Sequence, residues 1–339
     1  MSNQAAWLTE AKANPLKVDE AEMWKPAEGE ILVKNEAWAI NPVDWKIQDH
    51  GVFIQKYPIV LGTDVAGSIA AVGQGVTNFK QGQRVMGWAF SLATGEPRDG
   101  ALQLYSIIKA RNASPIPDSM SFERAVVLPL AVSTAAAGLY LKDHLGLPYP
   151  GKETKKSNKT ILVWGGSSSV GATVIQLARA SGLTVYATAS ARNHALVKEL
   201  GAEKAFDYTQ KGVVDEIVQA VKEGGGEFVG IYDAIALKDS FTTSGEILKK
   251  LGGGHVVGTL PPDVEFPEGV KCSGVFATKI SGDAVGDAVW GKYVPEALES
   301  GQLKAKPDPI IIKGGLEKMQ EAFDRQKQGV SAGKIVVVP

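Results

Sequence analysis

The rhythm of hydrophobic and polar positions changes once along this chain, near residue 126. Before that point short apolar runs alternate with glycine turns. EILVK at 30–34 predicts a strand after the Glu28-Gly29 turn, and residues 65–72 predict a glycine-interrupted β segment. QGQRVM at 81–86 predicts a turn that enters another strand. Many short strands joined by glycine turns predict a small barrel or sandwich. Beyond residue 126 strands and helices alternate. Residues 160–164 form an apolar run, and Val170, Val174, Leu177 and Ala178 follow at helical spacing. Strand and helix then recur at 184–188 and 194–200, at 228–235 and 239–251, and at 255–259. Apolar strands separated by helices predict a doubly wound parallel sheet with both faces covered. The C-terminal stretch reads as a helix at 316–323 and a strand at 333–339, and the polar tract at 151–159 as a surface loop.

Composition narrows the functional classes. With 36 basic and 37 acidic residues the charges cancel, so neither nucleic acid nor an anionic membrane is expected as a partner. No apolar run is read as reaching the ~18 residues that cross a bilayer. MSNQAAWLTEAKANP has no basic start followed by an apolar stretch, so no secretory signal is read there and cytoplasm is the default compartment. The one cysteine, Cys272, rules out an intrachain disulfide and a thiolate cluster. The four histidines, His50, His144, His194 and His255, have no HxxxH or HxH spacing, and no metal site is expected.

Gly166-Ser167-Ser168-Ser169-Val170-Gly171 follows the 160–164 strand and opens a helix. It is the G-x-G-x-x-G pattern with serine at the middle glycine. Gly166 is expected to permit the tight turn, and Gly171 to let the helix pack close to the sheet. Serine still lets the backbone approach a diphosphate, and the helix N-terminus adds N–H groups and partial positive charge. NAD-binding units keep Asp or Glu near the end of the next strand to hold the ribose 2′-hydroxyl. Here that strand runs into Ser190-Ala191-Arg192-Asn193, with no acid and with Lys198 one or two turns on. Ser190 can donate to a 2′-phosphate and Arg192 can neutralise it, which points to NADPH. The competing reading is that Arg192 only opens a solvated helix.

Taken in order, the motifs resemble the medium-chain dehydrogenase/reductase superfamily over essentially the whole chain. They are INPVDWK at 40–46, PIVLGTDVAG at 58–67, Val72-Gly73, GQRV at 82–85, LPLAVST at 128–134 and Gly201-Ala202. Zinc-dependent members carry a cysteine near the first segment and Gly-His-Glu in the second. This chain has Asn41 and Asp44 in the first and Gly62-Thr63-Asp64 in the second, and lacks a four-cysteine lobe. It therefore resembles the zinc-independent branch of quinone oxidoreductases and enoyl reductases. Within that branch NPVDWK at 41–46, Ser133-Thr134, GGSSS at 165–169, SARN at 190–193, Asp207-Tyr208 and Gly333-Lys334 make it most similar to fungal enoyl reductases that act in trans beside polyketide synthases.

The resemblance implies a GroES-like, partly open β-barrel catalytic domain from residues 1–125 and 281–339. Around the middle it implies a Rossmann NADPH-binding domain at 126–280, with the cofactor in the cleft between the two. It places Pro42, Val43, Asp44 and Trp45 near the nicotinamide ribose and Thr134 beside the nicotinamide. Ser167, Ser168, Ser169 and Val170 would hold the diphosphate, and Ser190, Ala191, Arg192 and Asn193 the 2′-phosphate. Tyr208 would flank the adenosine end, Gly258 and Thr259 would approach the nicotinamide, and Gly333 and Lys334 would close over the cofactor. Bland alternatives stand beside several of these: a turn at Pro42 or Gly333, packing at Thr134, a strand-end aromatic at Tyr208 and a surface charge at Lys334.

Hydride addition to the β carbon of an α,β-unsaturated carbonyl needs donors for the developing enolate but no Lewis acid. Simple ketone reduction normally calls for a metal or a tuned proton donor, and the chain has no Tyr-x-x-x-Lys pair. Lys46 is the candidate catalytic residue, orienting ribose or donating to substrate. Asp64 is read as shaping the site and His50 as a loop residue. The leading expectation is a zinc-independent NADPH-dependent oxidoreductase of the enoyl reductase type, monomeric or homodimeric, acting on a small or carrier-bound enoyl substrate. An NADPH:quinone oxidoreductase is the alternative enzyme, and a cofactor-binding protein with little turnover, structural or nucleic-acid-associated, is the third reading.

Overall fold

A computed structural model describes residues 2–339. The chain divides into two compact units, one comprising residues 2–130, 298–301 and 305–339 and the other residues 131–297 and 302–304.

The first unit is β-rich, as the run of short strands predicts. In chain order its first eight strands are β1 (Asn3–Leu8), β2 (Lys17–Ala21), β3 (Glu30–Ala39), β4 (Ile59–Val60), β5 (Asp64–Val72), β6 (Arg84–Trp88), β7 (Tyr105–Lys109) and β8 (Ala113–Pro115). The second unit then contributes β9 (Lys159–Trp164), β10 (Thr184–Thr188), β11 (Lys204–Phe206), β12 (Glu227–Asp233), β13 (Gly254–Gly258) and β14 (Val270–Gly274). The chain returns to the first unit for β15 (Asp308–Lys313) and β16 (Gly333–Val338).

In the first unit β2-β1-β4 form one small sheet, and a larger one runs β15-β16-β3-β5-β6-β8, with β7 also pairing β3. The glycine-interrupted segment is a true strand: Gly67 lies where β3 and β5 approach so closely that an added Cβ would sit 2.0 Å from the Lys34 carbonyl oxygen. One core gathers Ile31, Val33, Trp38, Val65, Val85, Phe323 and Val337. Each such side chain, fully withdrawn from water, contributes roughly 1.5–3 kcal/mol. The short Pro42–His50 helix, which periodicity does not announce, leaves β3 and packs against the Met319–Lys327 helix.

The second unit is the parallel sheet that the alternating pattern predicts. Its order is β11-β10-β9-β12-β13-β14 with every pairing parallel. That is the doubly wound arrangement, whose order reverses between β9 and β12. Leu162, Ile231 and Val256 on neighbouring strands share one core with Phe241, Ile247 and Leu248 of the Lys238–Lys250 helix. Residues 302–304 are tied to this unit because the Gln176 side chain accepts from Lys304 N–H at 2.7 Å and donates to the Lys304 carbonyl at 3.2 Å.

Two expectations need correcting. The 316–323 segment begins as a 3-10 turn, Gly315–Lys318, before the α-helix Met319–Lys327. And the segment Phe122–Tyr140 is long and apolar enough to meet the length and hydropathy of a membrane span, although no such run is read from the sequence. Its apolarity serves the interior: 78% of that window is buried within the protein.

Candidate functional site

In the second unit the candidate residues sit at the carboxyl ends of the parallel strands, where open α/β sheets place ligands. β9 ends at Trp164 and the chain turns sharply. Gly165 takes a left-handed conformation, φ 76°. Its N–H donates to the Thr188 hydroxyl at 3.0 Å, and Gly166 N–H donates to the Thr188 carbonyl at 2.8 Å. The turn glycine is therefore Gly165. Gly166, expected in that role, is needed for close approach instead: a Cβ there would lie 3.0 Å from both Ala187 Cβ and Ile175 Cδ1. Gly171 has the packing role expected of it, since a Cβ would fall 2.2 Å from the Gly165 carbonyl oxygen.

Ser168 caps the Ser169–Ala180 helix, its hydroxyl accepting Gly171 N–H at 3.0 Å. Ser167, Ser168, Ser169 and Val170 are all half-buried around that helix start. First-turn N–H groups have no intrahelical acceptor, and the helix dipole favours an anion there. Three hydroxyls and a helix N-terminus on a glycine turn are groups able to hold an anion.

β10 leads to the second cluster. Asn193 donates to the Ser190 hydroxyl at 3.1 Å and to the Ser167 hydroxyl at 3.3 Å, linking the two loops. Ala191 and Arg192 are exposed beside them. Tyr208 follows β11, 48% exposed, with its ring 6.5 Å from that of Trp164. Its neighbour Asp207, part of the Asp207-Tyr208 feature of the resemblance, carries a carboxylate with local partners. That carboxylate accepts from Thr209 N–H at 3.0 Å and from the Thr209 hydroxyl at 2.8 Å. These bonds, with a smaller one from Ala191 N–H, hold it below the usual carboxylate range.

Thr134 lies in the all-buried part of the Pro129–Tyr140 helix, 8% exposed. Its carbonyl accepts the Tyr232 hydroxyl at 2.7 Å, and the Ser133 hydroxyl accepts Trp290 Nε1–H at 3.0 Å. Gly258 ends β13 against Phe241, where an added Cβ would be 2.6 Å from the ring, and half-buried Thr259 donates its N–H to the Asp233 carbonyl at 3.2 Å. Sequence reasoning missed Ile235 and Leu237, 39% and 60% exposed after β12. Ile235 borders the phosphate turn: a Cβ on Gly165 would meet its Cγ1 at 2.5 Å. The available signal was an apolar pair, Ile235 and Leu237, just past the end of a parallel strand.

The first unit holds the other candidates. Pro42 opens the Pro42–His50 helix at N1, a position its fixed φ suits. Val43 is half-buried, and Trp45 donates to Gln326 at 2.5 Å. Half-buried Lys46 has its ammonium 5.7 Å from the Trp45 ring centroid, and among the described residues no carboxylate pairs with it. His50 is exposed and meets Trp45 edge-on.

The Lys334 ammonium is turned inward. It donates to Asn41 Oδ1 and lies 3.4 Å from Asp64 Oδ2. Asn41 Nδ2 in turn donates to Asp64 at 2.8 Å and to the Thr63 hydroxyl at 2.9 Å, and Leu130 N–H donates to Asp64 Oδ1 at 2.7 Å. Asp44 accepts Asn41 N–H at 2.7 Å. Burial raises both carboxyls from their ordinary values, Asp44 to about 7; in Asp64 Lys334 and the donors oppose the rise. Gly333 packs against Ile310.

Residues 27–118 match the alcohol dehydrogenase GroES-like domain family, and residues 169–299 match the zinc-binding dehydrogenase family. The dehydrogenase orsE of Emericella nidulans is 44% identical over 99% of both chains. The trans-enoyl reductase himH of Aspergillus japonicus is likewise 44% identical, over 99% of this chain and 97% of its own. The chain belongs to the medium-chain dehydrogenase/reductase superfamily. Its fold agrees: a mycobacterial protein, Rv1454c, solved with NADPH, matches with a TM-score of 0.74 over the whole of both chains at 21% identity.

The second family's description names zinc, and the residues present do not fit that ion. Among the described residues no three His, Cys, Asp or Glu side chains gather to hold a metal. In the two segments where zinc-dependent members of the superfamily keep ligands, Asn41 and Asp64 close instead upon an ammonium.

Proposed function

We propose that this oxidoreductase is an NADPH-dependent enoyl reductase working in trans beside a polyketide synthase. The observation that carries the reading is the anion cradle of Ser167, Ser168, Ser169 and Val170, joined through Asn193 to the acid-free Ser190–Arg192 loop. Two anionic groups are accommodated there, a diphosphate at the helix start and a 2′-phosphate beside Arg192. The likeness to himH, and the NADPH that Rv1454c holds, support the same reading.

The residues fit the dinucleotide. Ser167, Ser168 and Ser169 bring hydroxyls to the helix start, and Gly165 and Gly171 let the backbone come close. When bound, NADPH supplies a hydride. The chain's own part is to bind, orient and polarise. Arg192 neutralises the 2′-phosphate and Ser190 donates to it. Ile235 and Leu237 offer apolar cover beside the turn. Thr134 is held in register by the Tyr232 bond to its carbonyl. Lys46, with no carboxylate of its own, donates to ribose or to the carbonyl oxygen on which negative charge develops. An electrophilic ammonium suits conjugate reduction, where charge builds on an oxygen distant from the reacting carbon.

The test is cofactor consumption by the purified chain with enoyl thioesters, enones and quinones, offered with NADPH and with NADH. Turnover on enoyl thioesters with NADPH supports the proposal. Turnover confined to quinones, or equal use of NADH, contradicts it.

A further inference from the structure

A buried ammonium is costly unless its partners are fixed, so the surroundings of Lys334 carry information. The residue is 4% exposed, and Asp64 is wholly buried. Asn41 is the N-cap residue of the Pro42–His50 helix, in a capping box with Asp44, and its side chain reaches beyond the helix as well. Both amide protons go sideways, to Asp64 and Thr63, and its oxygen accepts from Lys334. Asp44 supplies the other half of that box, accepting the Asn41 N–H. Asp64 has its own second duty: Oδ1 accepts Leu130 N–H, in the first turn of the Pro129–Tyr140 helix. One cation therefore holds an amide that begins one helix and a carboxylate, at the start of β5, that accepts from the first turn of another. Those helices carry Lys46 and Thr134.

We propose that Lys334 is a positioning residue of the reductase, its buried ammonium binding Asn41 to Asp64 and so fixing the first turn of the helix that presents Lys46. The inference rests on the enoyl reductase reading for its meaning in catalysis. It differs from the resemblance-based expectation that Lys334 closes over the cofactor, because both acceptors of its ammonium are side chains of the same unit. Asn41 reaches Lys334 across 293 residues of sequence. The node therefore forms only when β16 has docked beside β3, which it does through Val336 opposite Ala39.

The geometry makes a distinction between holding and merely stabilising. Removing the ammonium alone strands a buried carboxylate, which destabilises any fold. Removing the carboxylate's charge as well relieves that strain but cannot restore the bond that joins Asn41 to β16. Stability and positioning thus separate in the double variant.

The experiment compares the wild-type chain, Lys334→Met and Lys334→Met/Asp64→Asn by thermal melting, hydrogen exchange of the 42–50 amides, NADPH affinity and turnover. Lys334→Met should melt lower and exchange the 42–50 amides about tenfold faster. The double variant should recover most of the melting temperature. Its 42–50 amides should still exchange fast and its kcat stay about tenfold down, with NADPH affinity within about twofold, because the anion cradle belongs to the other unit. A double variant that recovers slow exchange and turnover together overturns the proposal, as does wild-type protection of the helix in Lys334→Met. If the wild type binds NADPH but reduces no enoyl acceptor, the reductase reading fails. The exchange rates, which need no turnover, then still decide whether Lys334 fixes the helix.

Discussion

Asn193 donates to the hydroxyl of Ser167 at 3.3 Å, so the turn after β9 and the loop after β10 are joined by a side-chain bond. The same amide donates to Ser190 at 3.1 Å, leaving Arg192 exposed at the rim. Whatever anion lies in the turn therefore has a cation and a hydroxyl one loop away.

Reversing that charge should invert cofactor preference. Arg192→Glu is expected to weaken NADPH binding by about tenfold or more, the value of a lost charge-assisted hydrogen bond. NADH affinity should change little. Fluorescence titration with both nucleotides checks this, and an equal loss for both would mean that Arg192 does not read the 2′-phosphate.

Backbone proximity at the phosphate turn should be unforgiving. Gly171→Ala places a Cβ 2.2 Å from the Gly165 carbonyl oxygen, and neither backbone can yield without moving strand or helix. A loss of roughly 1–3 kcal/mol of stability is expected, with NADPH affinity falling too. Gly291→Ala is the control, since nothing lies within 4 Å of its Cβ, and its melting temperature should stay near wild type.

The fold's pH dependence should carry the mark of Asp44. Burial lifts its folded pKa from 3.8 to about 7. Between those values the folded chain holds a proton that the unfolded chain has released. The stability it contributes is complete below 3.8 and lost as pH rises toward 7. Asp64 is shifted in the same direction, and His144 and His255, lowered by burial, act oppositely below 6.5. All three remain in Asp44→Asn, so the difference in melting temperature between variant and wild type reports Asp44 together with its repulsion of Asp64. That difference should move in the variant's favour from pH 5 to pH 8, and a flat difference would show that Asp44 titrates normally.

Lys46 should matter for turnover far more than for folding. It is half-buried and makes no ion pair among the described residues, so Lys46→Ala should shift stability by no more than about 0.5 kcal/mol. With NADPH and an enoyl thioester, kcat should fall about 100-fold, the scale of a lost positioned donor. Unchanged kcat would assign Lys46 to the surface.

The parallel sheet was legible because its strands are continuous apolar runs: β10 occupies the 184–188 stretch that the pattern predicts. The turn was legible as a glycine pattern, though not which glycine bends, because the left-handed φ of Gly165 and the close contacts of Gly166 with Ala187 and Ile175 are set by tertiary packing. The Pro42–His50 helix was not legible as a helix. Two of its buried positions, Asp44 and Gln48, are polar, so no apolar stripe shows. Gln48 is satisfied by the Ala13 carbonyl and Gln320, both 2.8 Å away. β14 escaped for a related reason: it is an edge strand, and VKCSG is only partly buried. The Lys334 node lies beyond any local pattern, since its partners come from opposite ends of the chain.

Single-turnover reduction of an enoyl thioester by chelator-treated protein, with NADPH deuterated at the transferred position, decides whether this chain is a conjugate reductase. The account predicts NADPH oxidation with one deuterium delivered to the β carbon of the product, at a rate unchanged by chelator and far slower with NADH. NADPH oxidation on quinones alone, or deuterium recovered at a carbonyl carbon, would contradict it.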